Sequence, residues 1–384
     1  MNLYKYIDNI NYANIIKTGF IKNNEIITYT ALNGYRELVP NKKEITIDTL
    51  FDIASLTKTI TAITIYRAIE KGFLSLNDLV IKYEPRFINL KEVTILDLLS
   101  HRVDIWTEGH LKEEKSKDSF YNKIYTAYLK ERTRTYVDTN YIILSILLEN
   151  IYNKPFFKIV DEEIKKPLDI KSLTFRPDYI CASSNFEYND GKIIDYIFPG
   201  IPHDPKARVA FENNFEIGSA GIFINTNDMF KILISLIDDK ELLLKKDTID
   251  LMIKHDNIEY EIFKSLKDYG KSKNINTENI NDINELFSLV NDDDYIPLKS
   301  YNYFGTRYKN PIQQENYFPE KSSDNSVKFS GYTGPTYFID FDKKIVILIM
   351  CNYIHNNSTT TRIQRRKLNA NIINLIYNDI EKER

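Results

Sequence analysis

Residues 51–62 read FDIASLTKTITA and contain an SxxK tetrapeptide at positions 55–58. The spacing of apolar residues predicts a helix over residues 55–72, with the tetrapeptide at its start. Because residues i and i+3 share one face of a helix, we expect the Lys58 amine within reach of the Ser55 hydroxyl. A serine hydroxyl is a weak nucleophile until a neighbouring base takes its proton, and a partly desolvated lysine can be that base. Taken alone, SxxK is more typical of an N-cap serine followed by a solvated lysine.

The segments around this helix predict the fold. One hairpin is predicted from strands at residues 14–21 and 25–32, and a second from strands at residues 336–341 and 345–354. A C-terminal amphipathic helix is predicted over residues 360–382. Helical patterns dominate from the first helix to about residue 170. A further helix is predicted over residues 224–237, with Asn225 or Thr226 as its N-cap. Residues 256–325 are polar, and their pattern assigns no element.

This order of elements indicates an α+β fold. We expect an antiparallel sheet flanked by N- and C-terminal helices, with a mainly helical domain inserted between its halves. The expected boundaries are residues 1–70 with 208–384 for the sheet domain, and residues 71–207 for the helical domain.

Composition excludes several classes of protein. The 384 residues carry a net charge of −3, whereas nucleic-acid binding needs a concentrated basic face. The five histidines and two cysteines show no metal-binding spacing, so neither a metal nor a disulfide is expected. No apolar run is long enough to span a bilayer, and the N-terminus lacks the pattern of a signal peptide. These features predict a cytoplasmic protein with neither a nucleic-acid nor a membrane partner.

Two further motifs follow the SxxK sequence in order. The segment YVDTNYIILSILLE starts at Tyr136, 81 residues beyond Ser55, and opens a predicted helix. The segment SGYTGPTYFID, at residues 330–340, leads into the second predicted hairpin. A glycine such as Gly334 at a strand edge is typical of a place where another backbone approaches closely.

Together these segments resemble the serine β-lactamase and penicillin-binding-protein superfamily, which includes class C β-lactamases, DD-peptidases and carboxylesterases. FDIASLTKTITA is similar to its nucleophile segment, YVD to its Tyr-x-Asn motif, and SGYTG to its Lys/His-Thr-Gly strand. LLSHRVDI (98–105) and EIGSAGIFINTNDMFKI (216–232) are similar to two of its supporting segments. The resemblance implies that the catalytic residues are Ser55, Lys58 and Tyr136. It also implies five substrate-binding residues, which are Asp138, Tyr332, Thr333, Gly334 and Trp106.

Three positions depart from the family pattern. Asp138 stands where asparagine is usual, and an ionised carboxylate cannot donate a hydrogen bond to a substrate carbonyl. Tyr332 stands where lysine or histidine is usual, which removes a cation that would bind an acidic substrate group. Pro335 follows Gly334 and has no N–H, although the family uses the backbone N–H after this glycine as an oxyanion donor.

The resemblance implies a serine hydrolase that forms an acyl-enzyme on Ser55 with a small-molecule ester, amide or peptide. No cofactor is implied. The absent cation and the absent export signal favour an esterase or small-amide hydrolase over a β-lactamase or wall-facing peptidase. The alternative is a binding or sensor protein that has kept the fold but has weak catalysis, which Pro335 and Asp138 favour.

Overall fold

The two predicted hairpins pair with each other in one antiparallel sheet of six strands. The computed structural model describes residues 1–384 except 11, 13, 40, 179, 185, 190, 191, 291–300, 310–317 and 357–361. In these residues the strands are β1 (Asn14–Lys22), β2 (Glu25–Asn33), β3 (Tyr35–Glu37), β4 (Lys43–Glu44), β5 (Phe51–Asp52), β6 (Asp104–Trp106), β7 (Tyr128–Glu131), β8 (Phe186–Asn189), β9 (Lys192–Tyr196), β10 (Phe223–Ile224), β11 (Arg307–Tyr308), β12 (Ser326–Ser330), β13 (Thr336–Asp340) and β14 (Ile345–Cys351).

The helices of the same residues lie mainly between the two hairpins. They are α1 (Thr57–Glu70), α2 (Ile95–Leu99), α3 (Lys117–Ile124), α4 (Asp138–Tyr152), α5 (Phe156–Val160), α6 (Pro205–Glu212), α7 (Thr226–Ile234), α8 (Lys246–Met252), α9 (Glu259–Ser272), α10 (Ile283–Val290) and α11 (Arg362–Glu383). The side chain of Asn225 caps α7 by accepting from the Asp228 N–H. The predicted α+β architecture is confirmed.

The main sheet has the strand order β11-β12-β13-β14-β1-β2, and every neighbouring pair is antiparallel. The first hairpin turns at Asn23 and Asn24, which both have positive φ, as a two-residue turn of this hand requires. Strand β14 is apolar and buried along its whole length, because α7 and α11 contact it. This buried strand therefore lies at the centre of the packed layers.

One hydrophobic core joins the sheet to the inserted helices. It includes Ile60 on α1, Leu144 on α4 and Val346 on β14, all fully buried. Short strands and α2 to α5 account for most of the elements between α1 and α6. Since the core is continuous across both parts, the boundaries at residues 70 and 208 stay predictions.

Helices α9 and α10 lie in the segment for which the sequence assigned no element. They pack on each other around a small separate core that includes Ile262, Leu266 and Leu286. Asp256, just before α9, pairs with Arg102 and Arg134 at 2.6 Å each. These ion pairs fasten the segment beside the loop that precedes α4.

Cys181 and Cys351 are both buried. Across the described ranges, no helix combines the length and the apolar character needed to cross a membrane.

Candidate active site

Ser55 lies in a 3₁₀ turn, Ala54–Leu56, that leads directly into α1. Ala54 has φ +46°, a conformation that residues with a Cβ rarely adopt. The buried Asp52 carboxylate holds this turn, because it accepts from the Ala54 N–H at 2.8 Å and the His203 N–H at 2.7 Å. Burial raises the pKa of Asp52 to about 6, while the two backbone N–H groups act in the opposite direction. Ser55 is thus presented at a strained turn before a helix N-terminus, where the dipole favours negative charge.

Lys58 is buried beside Ser55, with only 1% of its side chain exposed. Its Nζ lies 3.5 Å from Ser55 Oγ, 2.7 Å from Asp138 Oδ1 and 2.9 Å from the Ser219 carbonyl oxygen. An ammonium has three donors, so these three acceptors match its full capacity. Ser219 belongs to the supporting segment 216–232, which therefore contacts the SxxK lysine directly.

Tyr136 completes the cluster around the Ser55 hydroxyl. Lys58 Nζ lies 4.9 Å from the centre of its ring. Burial and the nearby Asp138 charge raise the pKa of Tyr136 well above its ordinary value, while a hydrogen bond with Ser55 lowers it. The ring of the buried His101 packs 4.7 Å away, which agrees with a structural role for that histidine. The structure thus brings Ser55, Lys58 and Tyr136 together, and their catalytic roles stay predictions.

Asp138 lies between two lysines at the edge of this cluster. Its second oxygen, Oδ2, is 2.9 Å from Lys206 Nζ, and that ammonium also lies 3.2 Å from Asp204 Oδ2. Burial alone would raise the pKa of Asp138, but the charges of Lys58 and Lys206 lower it below its ordinary range. Burial alone would lower the pKa of Lys206, yet Asp138 and Asp204 raise it. The site therefore contains a chain of alternating charges.

The third motif meets the nucleophile turn three residues earlier than the sequence register predicts. A Cβ on Gly331 would lie 2.5 Å from the Ile53 carbonyl oxygen, so only glycine permits this approach. A Cβ on Gly334 would instead meet Cys351 Sγ at 2.5 Å, on the side of β14. Gly331 is thus the glycine that contacts the turn before Ser55, and this contact favours Gly331 over Gly334 as the motif glycine; the assignment of the oxyanion position stays a prediction.

This shift changes which residues fill the positions of the motif. The residue after the contacting glycine is Tyr332, which has an N–H, instead of Pro335. The position two residues before that glycine belongs to Phe329, whose ring lies 6.3 Å from the ring of Tyr136. Phe329 is uncharged, so this position carries no cation.

Three residues predicted to bind substrate have different surroundings. Tyr332 is half exposed, and its ring stacks on His203 at 5.0 Å between centroids. Thr333 is 2% exposed and donates its hydroxyl to the Asp52 carbonyl oxygen at 2.7 Å. The Thr333 hydroxyl therefore stabilises the backbone just before the nucleophile turn. This contact differs from the predicted contact with a substrate.

Trp106 is also half exposed, on strand β6. Its indole N–H donates to Asp104 at 2.9 Å, and Lys130 Nζ lies 4.0 Å from its ring centre. These contacts fix the indole on its own small sheet. A contact between Trp106 and a substrate stays a prediction.

Sequence reasoning missed Lys206, Asp204 and His203. The Asp-Pro pair at 204–205 is a recognisable N-cap and N1 signal for α6, and the Asp204 side chain does cap that helix. This signal locates a helix start, but nothing in the local sequence places its first turn beside Asp138.

Comparison with known proteins agrees with the site and fold. The family model described as Beta-lactamase matches residues 18–371. The chain therefore belongs to the beta-lactamase family of serine hydrolases.

Individual relatives are more distant. A Salmonella typhimurium protein named "Putative D-alanyl-D-alanine carboxypeptidase" is 26% identical over 273 residues, which are 57% of this chain and 62% of that protein. The chain thus matches about three fifths of the length of this curated relative.

Solved structures share the fold over nearly the whole chain. An Aspergillus terreus simvastatin synthase, the LovD6 mutant, has a TM-score of 0.70 at 18% identity, covering 99% of this chain and 96% of that one. EstCE1, described as a hydrolase with promiscuous acyltransferase activity, has a TM-score of 0.68 at 15% identity, covering 97% and 98%. At these identities the likeness shows the fold alone.

Proposed function

We propose that this protein hydrolyses small esters or amides through an acyl-enzyme formed on Ser55. The observation that carries the proposal is the placement of the Ser55 hydroxyl between Lys58 and Tyr136 at a strained turn. Such a meeting of a nucleophile and two proton-transfer groups is the arrangement that activates a serine.

In the proposed reaction, Ser55 Oγ attacks the substrate carbonyl carbon and loses its proton. For this step Lys58 must first have released one proton and be the neutral amine; it then takes the Ser55 proton, either directly across the 3.5 Å gap or through the Tyr136 oxygen. Collapse of the tetrahedral intermediate breaks the bond to the leaving group, which takes up the proton. Water then attacks the acyl-enzyme by the same route in reverse and releases the acid.

The backbone N–H groups of Ser55 and Tyr332 are the proposed oxyanion donors. This assignment follows from the close approach of Gly331 to Ile53, which brings the motif strand beside the nucleophile turn. Fixed donors aimed at developing charge are among the largest contributors to catalysis.

With Pro335 removed from this position, the main argument for a binding or sensor protein with weak catalysis loses its basis. That alternative keeps only Asp138 in its favour.

Neutral esters and small amides are the proposed substrates. Phe329 and Tyr332, at and beside the motif glycine, are uncharged, and Lys206 is paired with two carboxylates. A substrate carboxylate would therefore find no unpaired positive charge among these residues. The similar proteins named above include one named "Putative D-alanyl-D-alanine carboxypeptidase" and one described as a hydrolase with promiscuous acyltransferase activity, so the fold itself does not select the substrate. A cytoplasmic location stays a prediction of the sequence.

The test is a comparison of turnover of p-nitrophenyl acetate and of a chromogenic cephalosporin, with Ser55→Ala as control. We expect a higher kcat/KM for the ester and no turnover of either compound by the control. A higher kcat/KM for the β-lactam would refute the proposed substrate class. Equal turnover by Ser55→Ala would refute the proposed nucleophile.

A further inference from the structure

We propose that a cavity beside α5 is a second binding site, which takes a small carboxylate that carries an aromatic ring. The cavity has a volume of about 330 Å³, which lies at the lower end of the range for small-molecule sites. Its lining comes from within residues 157–165 on one side and from residues 173–176 with Glu216 on the other. Among the described residues, Ser55, Lys58 and Tyr136 take no part in this lining, so the inference goes beyond the proposed hydrolase function.

The helical wall of the cavity contains a π-helical turn. Helix α5 continues into this turn at Asp161–Lys165. Within it, the Lys166 N–H donates to the Asp161 carbonyl oxygen, five residues earlier, at 2.9 Å. Such turns are rare and are frequently found at functional sites. Lys165 at the end of the turn and Lys158 on α5 both line the cavity. This wall therefore presents two cations beside a backbone feature that recurs at functional sites.

The opposite wall holds a guanidinium in a fixed position. Arg176 Nη1 donates to Glu216 Oε1, and Arg176 Nη2 donates to the Phe215 carbonyl oxygen at 3.2 Å. The Glu216 side chain is 4% exposed, whereas that of Arg176 is 35% exposed. A guanidinium has five N–H donors in a planar fork that matches the geometry of a carboxylate. Arg176 is therefore positioned by the protein and keeps donors for an anion that enters the cavity.

The charged side chains of the lining have an excess of one positive charge. Lys158, Lys165 and Arg176 are positive, and Asp161 and Glu216 are negative. Glu216 pairs with Arg176, and Asp161 Oδ1 lies 3.5 Å from Lys165 Nζ. In the part of the chain that the structure describes, Lys158 Nζ contacts the Phe157 ring, at 5.1 Å from its centre, and makes no ion pair. A ligand with one negative charge would therefore balance the cavity at Lys158.

Apolar side chains of the lining select the rest of the ligand. Leu173 and Phe175 are buried, whereas Phe157 is 40% exposed although its side chain is large and apolar. An aromatic ring against these side chains would remove apolar surface from water, while its carboxylate met the cations. An inorganic anion would leave the apolar wall uncovered, and a neutral aromatic compound would leave the positive charge unbalanced. The ligand class is thus a small aromatic carboxylate.

The experiment measures binding by fluorine NMR in the Ser55→Ala background, where the proposed nucleophile cannot react with the probe. The probes are 4-fluorophenylacetate and 4-fluorophenylacetamide, which have the same shape and differ in charge. Lys158 is exposed, so its replacement should leave the fold intact. Lys158→Gln removes its charge, Lys158→Glu reverses it, and Lys158→Arg keeps it. Lys154→Gln, four residues earlier and outside the lining, is the matched control for the loss of a nearby lysine.

We expect the carboxylate to bind about tenfold more tightly than the amide, because charge-assisted hydrogen bonds are available only to the carboxylate. Lys158→Gln should weaken binding of the carboxylate by about three- to fivefold, as for a partly exposed ion pair, and Lys158→Glu by more than about tenfold. Lys158→Arg and Lys154→Gln should change it by less than about twofold. Phe157→Ala should weaken binding of both probes by about three- to tenfold, because an aromatic contact is lost.

Equal affinity for the two probes would overturn the proposal, since the charge of the cavity would then play no part. An unchanged affinity in Lys158→Gln, or an equal loss in Lys154→Gln, would place the carboxylate elsewhere and would also overturn it. The absence of any binding of 4-fluorophenylacetate would do the same. Because Ser55 takes no part in these measurements, a failure of the proposed hydrolase function would leave their outcome unchanged, and the two proposals fail separately.

Discussion

Replacing Tyr332 with proline tests the corrected register of the third motif, because it removes one backbone N–H beside the nucleophile turn. If the Tyr332 N–H is an oxyanion donor, its loss should slow acylation by about 10²–10³, or about 2.7–4 kcal/mol of transition-state stabilisation. Gly331 precedes this position, and a glycine tolerates the steric restriction that proline imposes on the residue before it. The change should therefore affect the rate more than the fold.

The assay is the stopped-flow release of p-nitrophenol from an activated ester, with thermal melting as a check on folding. Tyr332→Ala is the matched control, since it keeps the N–H but loses the stacking on His203 at 5.0 Å. Pro335→Ser adds an N–H on the side of Cys351 and should leave the rate unchanged. A folded Tyr332→Pro variant with the rate of Tyr332→Ala would refute the register, and a tenfold gain in Pro335→Ser would place the donor at Pro335.

Two further predictions concern the buried polar groups. Lys58→Met keeps the buried stem of the side chain but removes the proton acceptor, so the rate of acylation should fall by about 10²–10⁴-fold. Intact mass measures this rate, and an unchanged rate in the folded variant would assign the base to another residue. His355 is buried and neutral, because Nε2 accepts from the Leu38 N–H at 2.8 Å and Nδ1 lies 3.1 Å from the Ser184 carbonyl oxygen. Burial lowers the pKa of His355 to about 4, below its ordinary value of 6.5, so the unfolded chain binds the proton first. The free energy of unfolding should thus decrease by about 3 kcal/mol between pH 6.5 and 4 through this group. Denaturant titrations should show that decrease removed in His355→Gln; an equal pH dependence in both proteins would contradict the assignment. Asp52 acts in the opposite direction over part of this range, so the difference between the two proteins is the quantity that counts.

The sequence predicted the hairpins and the SxxK helix because their signals are local. Asn23 and Asn24 favour the positive φ of a two-residue turn, and β14 is a continuous apolar run. The reach from Lys58 to Ser55 follows from helical spacing and needs no tertiary information.

The register of the third motif could not be obtained this way. Gly331 and Gly334 lie three residues apart, and both are required by close contacts, with Ile53 and with Cys351 respectively. Both therefore have the local pattern of the motif glycine. Only the packing of β12 against the nucleophile turn distinguishes them.

The ion pair between Asp138 and Lys206 could not be predicted from the sequence either. Asp138 and Lys206 are 68 residues apart and lie on different helices, and no periodicity relates them. Helices α9 and α10 escaped prediction for another reason. Their apolar residues fill only a small separate core, so the segment has a polar average composition.

The central claim is that Ser55 is the nucleophile, and intact mass after incubation with a fluorophosphonate tests it most directly. The account predicts one adduct per chain, a peptide map that places it on Ser55, and complete loss of labelling in a folded Ser55→Ala variant. Labelling at another residue, or an adduct that persists in Ser55→Ala, would contradict the account.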